Sequence, residues 1–202
     1  MPVLIDDQNV PLTGRNLREL LASAREHLAE SGRVVVEVKL DGQAVTGDAL
    51  DSETPTPEQA EVRVYTAEPG DLAAGVLEQV REQLQAASGM QEEAADLLQQ
   101  DEANQALDLI RGSVDGWLQS QQAVAQTAEL MHLDLSRVEV TGEDDTVVQR
   151  MQELIQRLVE LKELIQANDF VSLADALAYE WPQVTENWDQ AIASIIKVIE
   201  QG

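Results

Sequence analysis

The period of the apolar positions changes about one third of the way along the chain. Up to residue 67, short apolar runs alternate with polar residues and turn signals, whereas from Asp71 onward apolar residues recur every three or four positions. Alternation is typical of strands, and the longer period is typical of helices that share an interior. The sequence therefore predicts an α+β protein with a small N-terminal α/β domain, residues 1–68, and a helical domain, residues 69–202.

The N-terminal third contains signals for five strands and one helix. The segment PVLIDDQNVPL places two apolar runs around a polar turn. In residues 16–32, which follow, apolar residues recur at the spacing of one helix face. The segments RVVVEVKLDGQAV and EVRVYT then read as strands, with Asp41-Gly42 as a hairpin turn. The predicted order is strand, strand, helix, strand, strand, strand.

That order resembles the β-grasp, or ubiquitin-like, arrangement. The resemblance implies a mixed sheet that packs one face against a single helix. Ubiquitin-like modifiers and sulfur carriers end in a free Gly-Gly tail, whereas this chain continues through TAEPGDLAAG. Their conjugation chemistry is therefore not expected here.

The rest of the chain predicts an elongated antiparallel four-helix bundle. The helices begin near Asp71, Asp101, Asp145 and Asn168, and at 1.5 Å per residue they would run roughly 33 to 48 Å. Aspartates or Asn168 precede three of them and are candidate N-caps: Asp101, then Asp144 or Asp145, then Asn168 or Asp169. The second helix has this predicted seam: Ala103, Leu107, Ile110, Val114, Trp117, Gln121, Val124, Ala128 and Met131. The last helix has this one: Phe170, Ala174, Leu177, Trp181, Val184, Trp188, Ala191, Ile195 and Val198.

Charge limits the classes of partner. The formal net charge is −25, with 12 acidic and 6 basic residues in 1–67 and 26 acidic and 7 basic residues in 68–202. Such a surface repels phosphate backbones and anionic lipid heads, so we expect no nucleic-acid or membrane binding. Acidity of this kind suits solubility or a salty environment, and it also suits a basic protein partner.

Other sequence features restrict the location and the chemistry. The sequence shows no apolar run of membrane-spanning length and no secretion signal at Met1–Val10, so a cytoplasmic protein is expected. Cysteine is absent, which excludes disulfides, thiolate metal sites and a cysteine nucleophile.

No motif in the sequence specifies a reaction. Glu129-x-x-His132 has the spacing of a di-iron helix, but it occurs once, and a di-iron site needs two such pairs and further glutamates. The acidic run EDDT, residues 143–146, lacks the spacing of a calcium loop, and no glycine-rich phosphate loop precedes a helix. We therefore expect no enzyme activity, no catalytic residues, no metal site and no cofactor.

Four of the six aromatic residues lie in one segment, ANDFVSLADALAYEWPQVTENW, residues 167–188. Pro182 interrupts this helix, because proline cannot donate to the carbonyl four residues earlier, and a kink between Tyr179 and Pro182 is expected. Trp181 and Trp188 are seven residues apart and face the same way. Two interpretations remain open: a bundle core bent by the proline, or a groove that accepts a partner. On the second interpretation, Tyr179 lies opposite the seam, and the candidate partner-binding residues are Asp175, Tyr179, Glu180, Trp181, Pro182 and Glu186.

The leading functional hypothesis is a non-catalytic protein interaction module, either an adaptor or a regulatory or assembly subunit. It would present an acidic helical surface to a protein partner with basic flanks, and self-association into a homodimer belongs to the same hypothesis. One alternative is an export or secretion chaperone, by analogy with small acidic helical chaperones. The other is a carrier, or an enzyme, with an apolar cavity inside the bundle.

Overall fold

The protein has an N-terminal mixed sheet followed by a helical region, and is therefore α+β. The computed structural model describes residues 2–57, 59–142 and 144–201. The chain divides into two compact units, Met1–Leu72 and Ala73–Gly202, whereas the sequence-based boundary lay between residues 68 and 69.

The first unit is a five-stranded sheet with one long helix. Its elements are β1 (Val3–Ile5), β2 (Gln8–Asn9), α1 (Leu17–Leu28), β3 (Val34–Leu40), β4 (Gln43–Ala44), a 3₁₀ turn (Gly47–Asp51) and β5 (Val62–Ala67). The strand order is β2-β1-β5-β3-β4, in which β1 and β5 are parallel and the other neighbours are antiparallel.

Two tight turns and one helix face build this unit. Asp6 and Asp7, both at positive φ, join β1 to β2, and the predicted Asp41-Gly42 turn joins β3 to β4. Aspartate and glycine tolerate this left-handed backbone better than most residues. The buried stripe of α1 packs with the sheet in one apolar core: Leu17, Leu20, Leu21, Ala24 and Leu28 with Val3, Ile5, Val38, Val62 and Val64.

The second unit is helical. After α2 (Pro69–Gln99), whose first residues belong to the first unit, come α3 (Ala103–Leu130), α4 (Val147–Ala167), α5 (Phe170–Asp175), a π-helical turn (Ala176–Glu180) and α6 (Trp181–Gln201). A single apolar cluster contains side chains from each of these helices and from the α3–α4 connection, where Val138 and Val140 are buried. No helix in the described part of the chain combines the length and the apolar character needed to cross a membrane.

Two of the predicted N-caps are wrong. Asp101 adopts a positive φ, and the N-cap of α3 is Glu102, without a side-chain bond to the helix. The N-cap of α4 is Thr146 rather than Asp144 or Asp145, and it forms a capping box with Gln149. Asp169 is confirmed as the N-cap of α5, because its carboxylate accepts the N–H of Ser172, while Asn168 ends α4 in the left-handed conformation.

The buried face of α3 is rotated from its predicted position. Leu107, Val114 and Gln121 are half-buried, while the small polar residues Ser113, Ser120 and Thr127 are buried. Along α6 the seam drifts in the same way, since the predicted Val198 is exposed and Ile192, Ile196 and Ile199 are buried. A straight helix has 3.6 residues per turn, so a strict seven-residue seam moves off the core within a few turns.

Candidate functional site

The aromatic segment forms the last helical arm of the second unit. It begins at the Asp169 cap, runs through α5 and the π-helical turn, and continues as α6. The N–H of Trp181 bonds to the carbonyl of Ala176, five residues earlier, so the turn directly before Pro182 holds one extra residue. Such π-helical turns occur frequently at functional sites, where they change the direction of neighbouring side chains.

The tryptophans of this region lie inside the unit. Trp181 packs edge-on against Trp117 of α3, with ring centroids 5.3 Å apart and an interplanar angle of 61°. The indole N–H of Trp188 donates to the Oγ of Ser120, 3.0 Å away, and all of these side chains are buried. Trp181, a predicted partner-binding residue, is therefore held by neighbouring core side chains rather than displayed on the surface.

The other predicted residues are all exposed. Asp175, Tyr179, Glu180, Pro182 and Glu186 are open to solvent, and the Tyr179 side chain is 76% exposed. Val171, which the sequence analysis did not select, is equally exposed. Val171, Asp175, Tyr179, Pro182 and Glu186 are exposed positions that follow one another at intervals of three or four residues through α5, the π-helical turn and the start of α6. We call these five residues the Tyr179 surface.

The carboxylates beside Tyr179 differ in their partners. Glu180 accepts a hydrogen bond from Arg157 of α4 at 2.7 Å, and Arg157 also pairs with Glu160. Asp175 and Glu186 form ion pairs with none of the residues that the structure describes. A cation brought to this surface would therefore find carboxylates that are not already neutralised.

A second surface feature is a groove between α3 and α4, which the sequence analysis missed. It has a volume of about 500 Å³ and an apolar floor, and Arg111, Asp115 and Lys162 stand along its sides. These residues form the floor: Leu107, Ile110, Val114, Leu158, Leu161 and Ile165. Because the predicted seam of the second helix placed Leu107 and Val114 in the bundle interior, the groove had no separate signal in the sequence. No tryptophan lines it.

The residues that the structure describes do not form a set of metal ligands. Within residues 2–57, 59–142 and 144–201, no three His, Cys, Asp or Glu side chains form a group able to hold a metal ion. Glu129 and His132 are exposed at the C-terminal end of α3. Of the acidic run 143–146, Glu143 lies outside the described residues.

Comparison with known proteins places the helical region in a family. The family model described as "Domain of unknown function (DUF8042)" matches residues 75–191, which include most of α2, then α3 to α5, the π-helical turn, the first half of α6 and the whole Tyr179 surface. No curated protein and no solved structure matches the chain. The match covers more than half of the chain, which therefore belongs to the DUF8042 family, a domain of unknown function.

Proposed function

We propose that this protein is a non-catalytic interaction subunit, an adaptor or a regulatory or assembly factor, and that its Tyr179 surface binds a protein partner. The observation that supports this proposal is the exposure of Tyr179 and Val171 in the same segment as Asp175 and Glu186, two carboxylates that form no ion pair with a described residue. Tyrosine is enriched at the centres of protein interfaces, because its ring gives a large apolar contact and its hydroxyl gives a polar one.

The charge of the surface selects the partner. Asp175 and Glu186 flank Tyr179, and the region from residue 68 onward carries 26 acidic and 7 basic residues. A partner helix or peptide with an apolar centre and basic flanks complements this arrangement, and its association should weaken as salt screens the charges. A nucleic acid or an anionic membrane is disfavoured by the same field.

Finer features of the fold belong to this proposal. We assign the second unit to an elongated four-helix bundle in which α5, the π-helical turn and α6 together form the last, proline-kinked helix. We assign the first unit to a β-grasp-like fold, supported by the strand order β2-β1-β5-β3-β4 and by the packing of α1 against the sheet. The cytoplasmic location and the homodimer expected from the sequence stay predictions. Light scattering at several protein concentrations would test the homodimer.

Quantitative affinity purification from the native host tests the proposed function. The full chain is used as bait, as the unaltered protein and as the variants Tyr179→Ala and Leu130→Ala. Leu130 is the matched control, because it is 70% exposed and lies at the end of α3, outside the Tyr179 surface. The proposal predicts that specific partners are lost with Tyr179→Ala and retained with Leu130→Ala. Equal recovery with both variants would contradict it.

Charge reversal adds a second comparison. The double variant Asp175→Lys/Glu186→Lys should lose the same partners, while Glu92→Lys/Glu93→Lys, which reverses two exposed acids of α2, should keep them. The two variants change the net charge equally, so a difference between them reports on position rather than on total charge.

The α3–α4 groove favours the carrier function as a second candidate. An open apolar volume of about 500 Å³ is in the range of small-molecule sites. A carrier would take up an apolar fluorescent probe in this groove, and Leu158→Arg would abolish that uptake. Strong uptake together with no effect of Tyr179→Ala on partner recovery would favour the carrier over the interaction subunit. The chaperone hypothesis has no structural observation of its own.

A further inference from the structure

We propose a second binding surface, in the N-terminal unit: the open edge of β3, which takes an extended, acidic segment of a partner protein as an added strand. This surface is separate from the Tyr179 surface and prefers the opposite charge. The proposal rests on backbone pairing, on an apolar cavity beside the edge and on the local sign of charge.

The first half of β3 is paired along one side only in the part of the chain that the structure describes. Its ladder with β5 runs from Val34 to Leu40, whereas β4 pairs only with Lys39 and Leu40. One further bond on this side joins the N–H of Val45 to the carbonyl of Val38 at 2.8 Å. Within the described chain no strand pairs with residues 34–37 on this side. An unpaired strand edge can accept the backbone of another chain, which is how β-strand addition works.

The side chains of this edge are unusually apolar for a solvent-facing strand. Val34 and Val36 are both exposed, with Val36 at 47%. Natural sheets protect their edges with charges, prolines or bulges. Here the register shift between Val35 and Glu37 and the charge of Glu37 are such devices, and the shift limits the number of positions that an added strand can pair with.

A cavity of about 560 Å³ lies directly beside the edge, between β3 and α1. Its wall is mainly apolar and includes Leu21, Leu28, Val35, Val38, Val45 and Leu50. In a strand added to this edge, alternate side chains would point toward the cavity, because successive side chains of a strand face opposite ways. The cavity therefore selects an apolar residue at one position of the segment.

The charge at the mouth of the cavity is opposite to that of the protein. Arg25 of α1 and Arg33 lie there, and Arg25 forms an ion pair with no residue in the described part of the chain. Arg33 donates to Thr66 and lies 3.7 Å from Asp6 and 3.6 Å from Glu68, so Arg25 is the cation of this lining that remains for a partner. Glu37 is the acidic residue of this lining, and Lys39 neutralises it at 3.1 Å. A carboxylate on the added segment would meet Arg25, so an acidic segment is the complementary occupant.

Titration of the full-length protein with short capped peptides, followed by amide NMR shifts, tests this proposal. The probe alternates valine and threonine and ends in aspartates. One control peptide carries lysines in place of the aspartates, and another has methylated backbone nitrogens, which removes the ladder donors while keeping the side chains. We expect shifts at residues 34–38 and at Arg25 with the acidic probe, about fivefold weaker binding by the lysine peptide, and loss of binding by the methylated one.

Matched variants locate the site. Val36→Lys should abolish the shifts, because lysine on an edge blocks strand addition. Val76→Lys should leave them unchanged, since Val76 on α2 has the same exposure of 47% and lies outside the sheet. Arg25→Glu should weaken the acidic probe and strengthen the lysine peptide.

Three results would overturn the proposal. The first is the absence of shifts at about 1 mM acidic probe, which would mean a dissociation constant well above 1 mM and therefore no specific site. The second is equal binding by the methylated peptide, which would exclude a backbone ladder. The third is a shift pattern confined to another surface, the Tyr179 surface included. Failure here leaves the affinity purification with Tyr179→Ala unaffected, because that experiment concerns another unit of the chain.

Discussion

The indole N–H of Trp188 in α6 donates a hydrogen bond to the Oγ of Ser120 in α3, at 3.0 Å. The hydroxyl of Ser120 donates in turn to the carbonyl of Trp117, 2.8 Å away, and all three residues are buried. Ser120 thus satisfies the one polar atom of a buried tryptophan side chain from another helix. A small hydroxyl residue on the buried face of α3 therefore helps to position α6.

Removal of the Ser120 hydroxyl should destabilise the helical unit. We expect Ser120→Ala to lower the free energy of unfolding by about 1–3 kcal/mol, because the buried Trp188 N–H would lose its acceptor. Ser113→Ala is the matched control: the Ser113 hydroxyl is also buried, but it donates only to the carbonyl of Ile110 in its own helix. Urea denaturation followed by tryptophan fluorescence measures both. Equal losses in the two variants would contradict the role given to Ser120.

Truncation of Trp181 should lower the stability of the protein much more than truncation of Tyr179. Trp181→Ala removes a buried ring packed edge-on against Trp117 and should lower the free energy of unfolding by about 3–5 kcal/mol. Tyr179→Ala removes an exposed ring and should change stability by about 0.5 kcal/mol or less. Thermal denaturation compares the two directly. A large loss with Tyr179→Ala would mean that this ring supports the fold and is not reserved for a partner.

Gln91 is a polar residue placed in an apolar interior. It is only 1% exposed, and neither the nitrogen nor the oxygen of its side-chain amide forms a hydrogen bond with another described residue. Gln91→Leu should therefore raise the free energy of unfolding by about 1–2 kcal/mol, since it removes the desolvation cost of the amide. Gln85→Leu, at an exposed position of the same helix, should have little effect. A destabilised Gln91→Leu variant would show that the amide contributes to stability.

Acid should weaken the N-terminal unit through Asp6. The Thr66 hydroxyl and N–H donate to this carboxylate and, with Arg33 nearby, hold its pKa below the ordinary value of 3.8. Because the pKa is lowered on folding, the stability that Asp6 contributes is present above about pH 3.8 and is lost as the pH falls through the folded pKa. Asp6→Asn should flatten this part of the pH profile.

All three tryptophans lie in the helical unit, so the acid profile of the N-terminal unit must be followed by NMR of the sheet residues. Asp51→Asn is the control, because Asp51 is an exposed aspartate at the end of the 3₁₀ turn. The same profile for Asp6→Asn and the unaltered protein would exclude Asp6 as the cause.

Features encoded by neighbouring residues could be predicted from the sequence. The Asp41-Gly42 turn and the buried stripe of α1 follow from local chemistry. The capping box of Thr146 and Gln149 was also present in the sequence, as a threonine three residues before a glutamine, but adjacent aspartates concealed it.

Features that depend on packing between distant segments could not be predicted. The hydrophobic pattern assigns Ser113 and Ser120 to a polar face, although their hydroxyls bond to carbonyls of the same helix and are easily buried. The α3–α4 groove and the open edge of β3 arise only when elements far apart in the chain meet. For the last helix the sequence indicated Pro182 as an irregular point, but not the π-helical turn before it.

Site-specific photocrosslinking in the native host shows whether the Tyr179 surface contacts a protein partner. A photoreactive phenylalanine analogue is placed at position 179 or, as the control, at position 130, both of which are strongly exposed in the folded chain. We expect a discrete protein adduct from position 179, suppressed by Asp175→Lys/Glu186→Lys, and no such adduct from position 130. The absence of an adduct at position 179, or the same adducts from both positions, would contradict it.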